Sequence, residues 1–382
     1  MSQVSLPQSL YPDLPLTALA PMQDVTNLWF MKILAHYGSP DYFFTEYFRV
    51  RDDSRLNPKI LASITENDTG RPVFAQMIGE SIPDLVRTTQ ELCQYNIAGI
   101  DLNMGCPAPR VYRKNVGGGL LREPEKVDRI LGELRSAVSD RPLTVKMRVG
   151  FDNTDTFEEI LDIINRHNID LLSLHGRTVK DRYHGEVKYD LIAQAVKKAN
   201  CPVLANGNID SAATASEVLS QTGAAGVMLG RWAIANPWIF NQIRQVLLSE
   251  PISLVPLVEV REYIDRLRQT PEAVKTPLKA RAGHLKMYLN YIALLVDTNG
   301  NFLRTMRKTK TELELLKLCD SVLLNDKNLA LAPYSSRKLG VMSYELRVRS
   351  YELRVRSYEL GVRNFNVHCS LITALCSMFT VR

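Results

Sequence analysis

Eight short apolar runs recur between residues 16 and 229, with segments of helical spacing between them. They occupy 16–22, 42–48, 72–79, 99–104, 143–149, 171–175, 202–205 and 226–229. Most are dense in Val, Ile, Leu, Phe or Tyr, and their apolar character is continuous rather than alternating. Continuous hydrophobicity suits strands buried on both faces, as in a parallel sheet covered by helices. The intervening segments carry amphipathic spacing: Ile82, Leu85, Val86 and Leu92; Val127, Ile130, Leu131 and Leu134; Phe157, Ile160, Leu161 and Ile164; Ile192, Ala195 and Val196. Eight strands alternating with eight helices in about 240 residues is the arithmetic of an α/β chain folded as a (β/α)8 TIM barrel. The competing doubly wound sheet usually carries a glycine-rich turn after its first strand. Here that turn reads Ala20-Pro21-Met22-Gln23, which is nothing of the kind.

Beyond Pro251–Pro256 the strand signal stops. Thr276-Pro277 reads as an N-cap followed by proline at the first helical position. Leu278, Ala282, Leu285, Leu289 and Ile292 follow as a helical stripe, Asp297-Thr298-Asn299-Gly300 reads as a turn, and another helix runs through Met306, Leu313 and Leu316. The expected organisation is a catalytic barrel over 1–250, a small helical domain over 251–325, and a repeat-containing, poorly ordered tail over 326–382. The tail holds two copies of SYELRVR and one of SYELGVR, at 343–349, 350–356 and 357–363.

Charge follows the same division. Residues 1–250 are slightly acidic, so the formal net charge of +6 is carried by residues 251–382. Such asymmetry points to a polyanion as partner of the C-terminal part. The 6 cysteines form neither a CxxC pair nor a disulfide framework. With no membrane-spanning run and no basic N-terminal leader, the expectation is a cytoplasmic, membrane-free and metal-free monomer in a reducing compartment.

The polar groups converge on one set of strand ends. Gln76 ends the third run. Asn103 and Cys106 end the fourth, in Asn103-Met104-Gly105-Cys106-Pro107, and Gly117-Gly118-Gly119 follow. Lys146 lies in the fifth run, His175 ends the sixth, Asn206-Gly207-Asn208 the seventh, and Gly230-Arg231 the eighth. Taken singly, each has a structural explanation; six consecutive strands offering polar groups at one barrel end do not. The last two strands of this fold commonly bind phosphate, and Arg231 would supply a charge-assisted fork beside Gly207 and Gly230. Ala20, Pro21 and Met22 offer a flat apolar surface, Gln76 a hydrogen-bonding edge, and Lys146 a positive charge for a reduced ring. This track suits a flavin mononucleotide (FMN) better than a sugar phosphate.

At these positions the chain resembles the tRNA-dihydrouridine synthases. The likeness is carried by Ala20-Pro21-Met22, Thr45-Glu46, Gln76-Met77-Ile78-Gly79, Asp101 to Pro107, Gly117-Gly118-Gly119, Lys146-Met147-Arg148, His175-Gly176-Arg177-Thr178, Asn206-Gly207-Asn208-Ile209 and Gly230-Arg231, and spans about residues 14–325. Residues 45–50 resemble the C-type bacterial group. The resemblance implies bound FMN, NADPH as reductant, tRNA as partner, and Cys106 as catalytic proton donor to uracil C5. It departs at Gln23-Asp24 and at Ala108-Pro109-Arg110, where many members carry other residues. Arg177 is expected at the base or a nearby phosphate. Arg304, Arg307 and Lys308 on one helical face, and Lys279 and Lys286 on another, are expected to grip RNA phosphates. Two alternatives stand at this point: an FMN barrel that reduces a free small molecule, and a non-catalytic RNA-binding barrel.

Overall fold

The computed structural model describes residues 4–297, 299–325, 330 and 331. Its strands are β1 (Leu16–Leu19), β2 (Phe43–Phe44), β3 (Phe48–Arg49), β4 (Val73–Ile78), β5 (Gly99–Met104), β6 (Leu143–Arg148), β7 (Leu171–His175), β8 (Val203–Asn206) and β9 (Gly226–Leu229). Every pairing is parallel, in the order β1-β9-β8-β7-β6-β5-β4-β2. A parallel bridge between Ala18 and Tyr42 brings β1 to β2 and all but closes the barrel. The expected (β/α)8 architecture is therefore present. One run differs in detail: 42–48 gives two short strands, and both β2 and β3 pair with β4.

The barrel has an apolar floor and a polar mouth. Ala18, Ala20, Tyr42, Phe44, Phe74, Leu171, Leu204 and Met228 form one buried cluster, against which Leu6, Leu16 and Ala98 pack. Strand periodicity of two then carries alternate side chains into the interior. Phe74 is followed inward by Gln76, and Leu171 by Ser173 and His175.

Side-chain caps start several of the helices. Asn27 Oδ1 accepts from Phe30 N at 3.1 Å and opens the helix Leu28–Gly38. Ser211 Oγ accepts from Thr214 N at 3.1 Å and opens Ala212–Thr222. Each satisfies a backbone N–H that the first turn leaves without a partner.

After β9 the described chain is helical, through Leu257–Gln269, Leu278–Val296, Asn301–Lys308 and Glu312–Leu323. The described residues of the barrel and of the helical part lie in one compact unit. Tyr263 Oη donates to the Ile234 carbonyl at 2.9 Å, and Asn27 Nδ2 donates to Glu272 Oε2 at 2.5 Å, so the helical part is fastened to the barrel. Thr276 is not the N-cap expected of it. Its hydroxyl donates to the Glu272 carbonyl at 2.9 Å, closing the preceding short helix Pro271–Lys275, and Pro277 takes the cap position. Leu278 is 76% exposed, so the buried stripe begins at Ala282. The tail expected over 326–382 lies outside the described residues, apart from Ala330 and Leu331.

Candidate active site

The C-terminal ends of β4 to β9 assemble the expected polar set in two connected groups. The first centres on β4, β5 and β6. Gln76 Nε2 donates to Asp101 Oδ2 at 2.6 Å, and Thr144 Oγ1 donates to Asp101 Oδ1 at 2.6 Å. Asn103 Nδ2 donates to Gln76 Oε1 at 2.8 Å. Asn103 Oδ1 accepts from the backbone N–H groups of Gly105 and Cys106, at 3.1 and 3.0 Å.

The loop carrying Cys106 is pressed from behind by the glycine run. Gly118 N donates to the Cys106 carbonyl at 3.3 Å. A Cβ at Gly118 would sit 2.5 Å from Val179 Cγ2 and 2.9 Å from the Cys106 carbonyl oxygen, so only glycine fits. The thiol side packs with Tyr47, Ile78 and Val111. Burial pushes the Cys106 thiol up, against the opposing pull of the Ala108 backbone, Arg148, Arg110 and Arg49. A raised thiol keeps its proton at neutral pH, as a proton donor must.

The second group centres on Asn206. Its Nδ2 donates to the Met228 carbonyl at 2.7 Å. Its Oδ1 then meets His175 Nδ1 at 3.0 Å and accepts from Lys146 Nζ at 3.2 Å. His175 Nε2 is buried and has no hydrogen-bond partner. Burial, with Arg148, Lys146, Arg177 and Arg231 adding to it, holds the imidazole well below its ordinary range. Burial likewise brings Lys146 down to about 8, with Arg148 reinforcing and Asp101 opposing.

The remaining expected ligands line the rim. Gly207 has φ +124°, a conformation open to glycine, and its carbonyl accepts from Tyr189 Oη at 2.8 Å. Asn208, also left-handed, offers Oδ1 to Arg177 Nη1 at 3.2 Å. A Cβ at Gly230 would meet Met22 Sδ at 3.2 Å, so the loops after β1 and β9 touch here. Ala20, on the loop leaving β1, belongs to the barrel cluster, and Pro21 and Met22 are half-buried. The Arg231 guanidinium lies 4.7 Å from the centre of the Tyr183 ring.

Three expected RNA contacts are placed elsewhere. Arg177 is 1% exposed and donates to the carbonyls of His184 and Gly185, so it shapes the loop after β7 rather than a surface. Lys286 Nζ donates to the carbonyls of Arg307 and Thr309 at 3.1 and 2.5 Å, where the last turn of Asn301–Lys308 leaves carbonyls unpaired. Arg307 Nε turns inward to Asn290 Oδ1 at 2.8 Å. Lys279, Arg304 and Lys308 are exposed.

Other residues join the site without having been picked out as site residues. Arg148 Nε donates to the Gly105 carbonyl at 3.0 Å, and its Nη1 donates to the carbonyls of Thr178 and Arg182. It thus ties the Cys106 loop to the loop after β7. Asp101 and Thr144 occupy the interior below Gln76. Glu46, 7% exposed, accepts from Gln23 Nε2 at 3.4 Å. Burial, reinforced by Asp24 and Glu272, pushes Glu46 up to about 8. Spacing offered one usable signal: Asp101 stands two residues before Asn103, and therefore on the same strand face.

A parallel barrel with a thiol, an amide pair, a lysine and a neutral histidine at its C-terminal mouth defines the class: a (β/α)8-barrel enzyme working at the usual end of the fold. Among solved structures, 2-naphthoyl-CoA reductase in complex with 2-naphthoyl-CoA superposes with a TM-score of 0.51 over 84% of this chain and 68% of that one. At 11% identity this likeness is one of fold. The family model for dihydrouridine synthase (Dus) matches residues 18–328. tRNA-dihydrouridine synthase B of Pasteurella multocida is 31% identical over 280 residues, covering 72% of this chain and 83% of that protein. The synthase B of Pseudomonas syringae pv. tomato is 43% identical over 237 residues, 60% of this chain and 68% of that protein. The tRNA-dihydrouridine(16) synthase of Haemophilus ducreyi is 34% identical over 241 residues, 60% of this chain and 74% of that protein. The chain belongs to the dihydrouridine synthase family.

Among the described residues no helix is long and apolar enough to cross a membrane, and no group of three or more His, Cys, Asp or Glu is placed to hold a metal ion.

Proposed function

We propose that this chain reduces uridines of tRNA to 5,6-dihydrouridine, with FMN as its bound redox group, NADPH as reductant and Cys106 as the proton donor to uracil C5. The observation that carries the reading is the placement of the half-buried Cys106 thiol, on a loop held by an amide pair, at a cationic mouth.

The residues present fit a flavin. The unpartnered Nε2 of buried His175 is a hydrogen-bonding position left open by the protein. Lys146, Arg148 and Arg231 concentrate positive charge at the same mouth, which suits a phosphate and an electron-rich ring. Gln76, Asn103, Lys146 and His175 would hold the ring edges, Ala20, Pro21 and Met22 its face, and Gly207, Asn208, Gly230 and Arg231 the phosphate end. When bound, reduced FMN supplies a hydride to the 5,6 double bond of uracil.

The chain itself supplies the proton and the geometry. Asn103 holds the Cys106 loop through two backbone N–H groups, and Arg148 holds the same loop through the Gly105 carbonyl. The Cys106 thiol gives its proton to C5, and the thiolate is then favoured by Arg148, Arg110 and Arg49. The uridine must leave its stack to enter the mouth. Lys279, Arg304 and Lys308 are exposed and would meet phosphates, which position RNA without reading its sequence.

The test is reduction of an unmodified tRNA transcript by the purified chain with NADPH, with dihydrouridine mapped by mass spectrometry of nuclease fragments. The expected result is a yellow protein and one modified position, which also identifies the subfamily. A preparation that gains no flavin absorbance on adding FMN would overturn the cofactor assignment. Activity on free uracil without activity on tRNA would move the reading to a small-molecule reductase.

A further inference from the structure

Asp101 enters the barrel from the same strand face as Asn103 and is fully buried. A carboxylate only accepts hydrogen bonds. One Asp101 oxygen accepts from Thr144 and the other from Gln76, each at 2.6 Å. The Gln76 amide is thereby turned nitrogen-first toward Asp101, and its oxygen faces Asn103 Nδ2 at 2.8 Å. Asn103 is turned the same way, with its oxygen on the N–H groups of Gly105 and Cys106.

We propose that Asp101 is a positioning residue that sets two amides in series and, through them, fixes the loop presenting Cys106. This rests on the reading of Cys106 as the reacting thiol. The arrangement also fixes what the mouth can recognise. The Asn103 oxygen is fully engaged, so this side chain has only an N–H left to offer, and Gln76 keeps one N–H as well. The flavin edge proposed to meet them must therefore present acceptors to these N–H groups.

The experiment measures alkylation of Cys106 by iodoacetamide in the purified full-length chain, with peptide mapping to separate it from the other cysteines. In Asp101→Asn the new amide oxygen still accepts from Gln76. Its nitrogen turns to Thr144, whose hydroxyl has the Ile100 carbonyl 3.3 Å away to receive its proton. In Asp101→Leu the Gln76 amide loses its anchor. The expected result is alkylation about tenfold faster in Asp101→Leu, the population shift of one lost buried hydrogen bond, and within about twofold of wild type in Asp101→Asn. Should Asp101→Leu not fold, Gln76→Met cuts the same series one link further on and must also speed alkylation. A folded Asp101→Leu or Gln76→Met with wild-type reactivity overturns the proposal. So does an Asp101→Asn protein as reactive as Asp101→Leu, since charge rather than amide orientation would then be at work. Because the readout needs neither tRNA nor turnover, the predicted pattern in a protein that makes no dihydrouridine would leave the positioning role standing and remove the proposed activity.

Discussion

Asn206 fixes the tautomer of His175. The Asn206 nitrogen is committed to the Met228 carbonyl at 2.7 Å, so its oxygen faces His175 Nδ1 at 3.0 Å. An amide oxygen cannot donate, so Nδ1 carries the imidazole proton and Nε2 is left as an acceptor. Lys146 shares the same oxygen at 3.2 Å, which couples two bases of the mouth through one side chain.

From this follows a spectroscopic expectation. His175 should stay neutral, with its proton on Nδ1, at neutral pH, because burial and four nearby cations disfavour the imidazolium. Two-bond nitrogen–proton correlations in labelled protein report the tautomer directly. Asn206→Asp puts an anion beside both bases and should move the His175 transition upward. An imidazolium signal for wild-type His175 near neutral pH would contradict the assignment.

Cys106→Ala should lose turnover by about 10²–10⁴-fold, the usual contribution of a general acid, while still binding FMN and tRNA. NADPH-dependent bleaching of the flavin should persist, because that half-reaction needs no proton on uracil. Dihydrouridine formation at the wild-type rate would remove Cys106 from the mechanism.

The barrel was legible because its strands are buried on both faces and so read as unbroken apolar runs. The split of the second run falls at Thr45-Glu46-Tyr47, where the polar pair does mark a break, but it is passed over when the aromatic residues on both sides are read as one run. Asn103, Lys146, His175 and Asn206 stood out as polar residues at strand ends. Asp101 and Thr144 lie deeper in the strands and pass for part of the core until their shared face with Gln76 and Asn103 is seen. Arginine and lysine were read least well. Arg177, Arg307 and Lys286 look like solvent-facing cations in sequence, but a long side chain can fold back onto carbonyls, and these do. Spacing on a helix says which way a residue points, not which partner its far end finds.

Glu46 offers a test by pH. Its ordinary value is 4.5, and in the folded chain it keeps its proton until about 8. Holding the proton stabilises the fold fully below 4.5, and this contribution is lost as pH rises toward 8. Glu46→Gln has no proton to lose. Its melting temperature should therefore match wild type under acid conditions and exceed it increasingly as the pH approaches 8. A difference that does not grow with pH would place the carboxyl in a more polar setting than the one described.

The cations of the helical part divide into two kinds with opposite expected phenotypes. Lys279, Arg304 and Lys308 are exposed, and the bonds Arg304 makes, to the Asn299 carbonyl and Asn301 Oδ1, are to solvent-facing groups, so replacing the three with alanine should leave the melting temperature nearly unchanged and weaken tRNA binding. If all three meet phosphates, the slope of log affinity against log salt should flatten by about 2 to 3 in the triple variant, taking the coefficient for helical nucleic acid. Lys286 is different, because its ammonium closes the end of Asn301–Lys308 on two carbonyls. Lys286→Met should cost about 1–3 kcal/mol of stability by leaving those carbonyls short of a donor, and change the salt slope little. Chemical denaturation and filter binding at several salt concentrations separate the two effects. A triple variant with an unchanged slope would move the RNA grip away from this surface, and a Lys286→Met protein of full stability with a flattened slope would return Lys286 to the RNA-facing set.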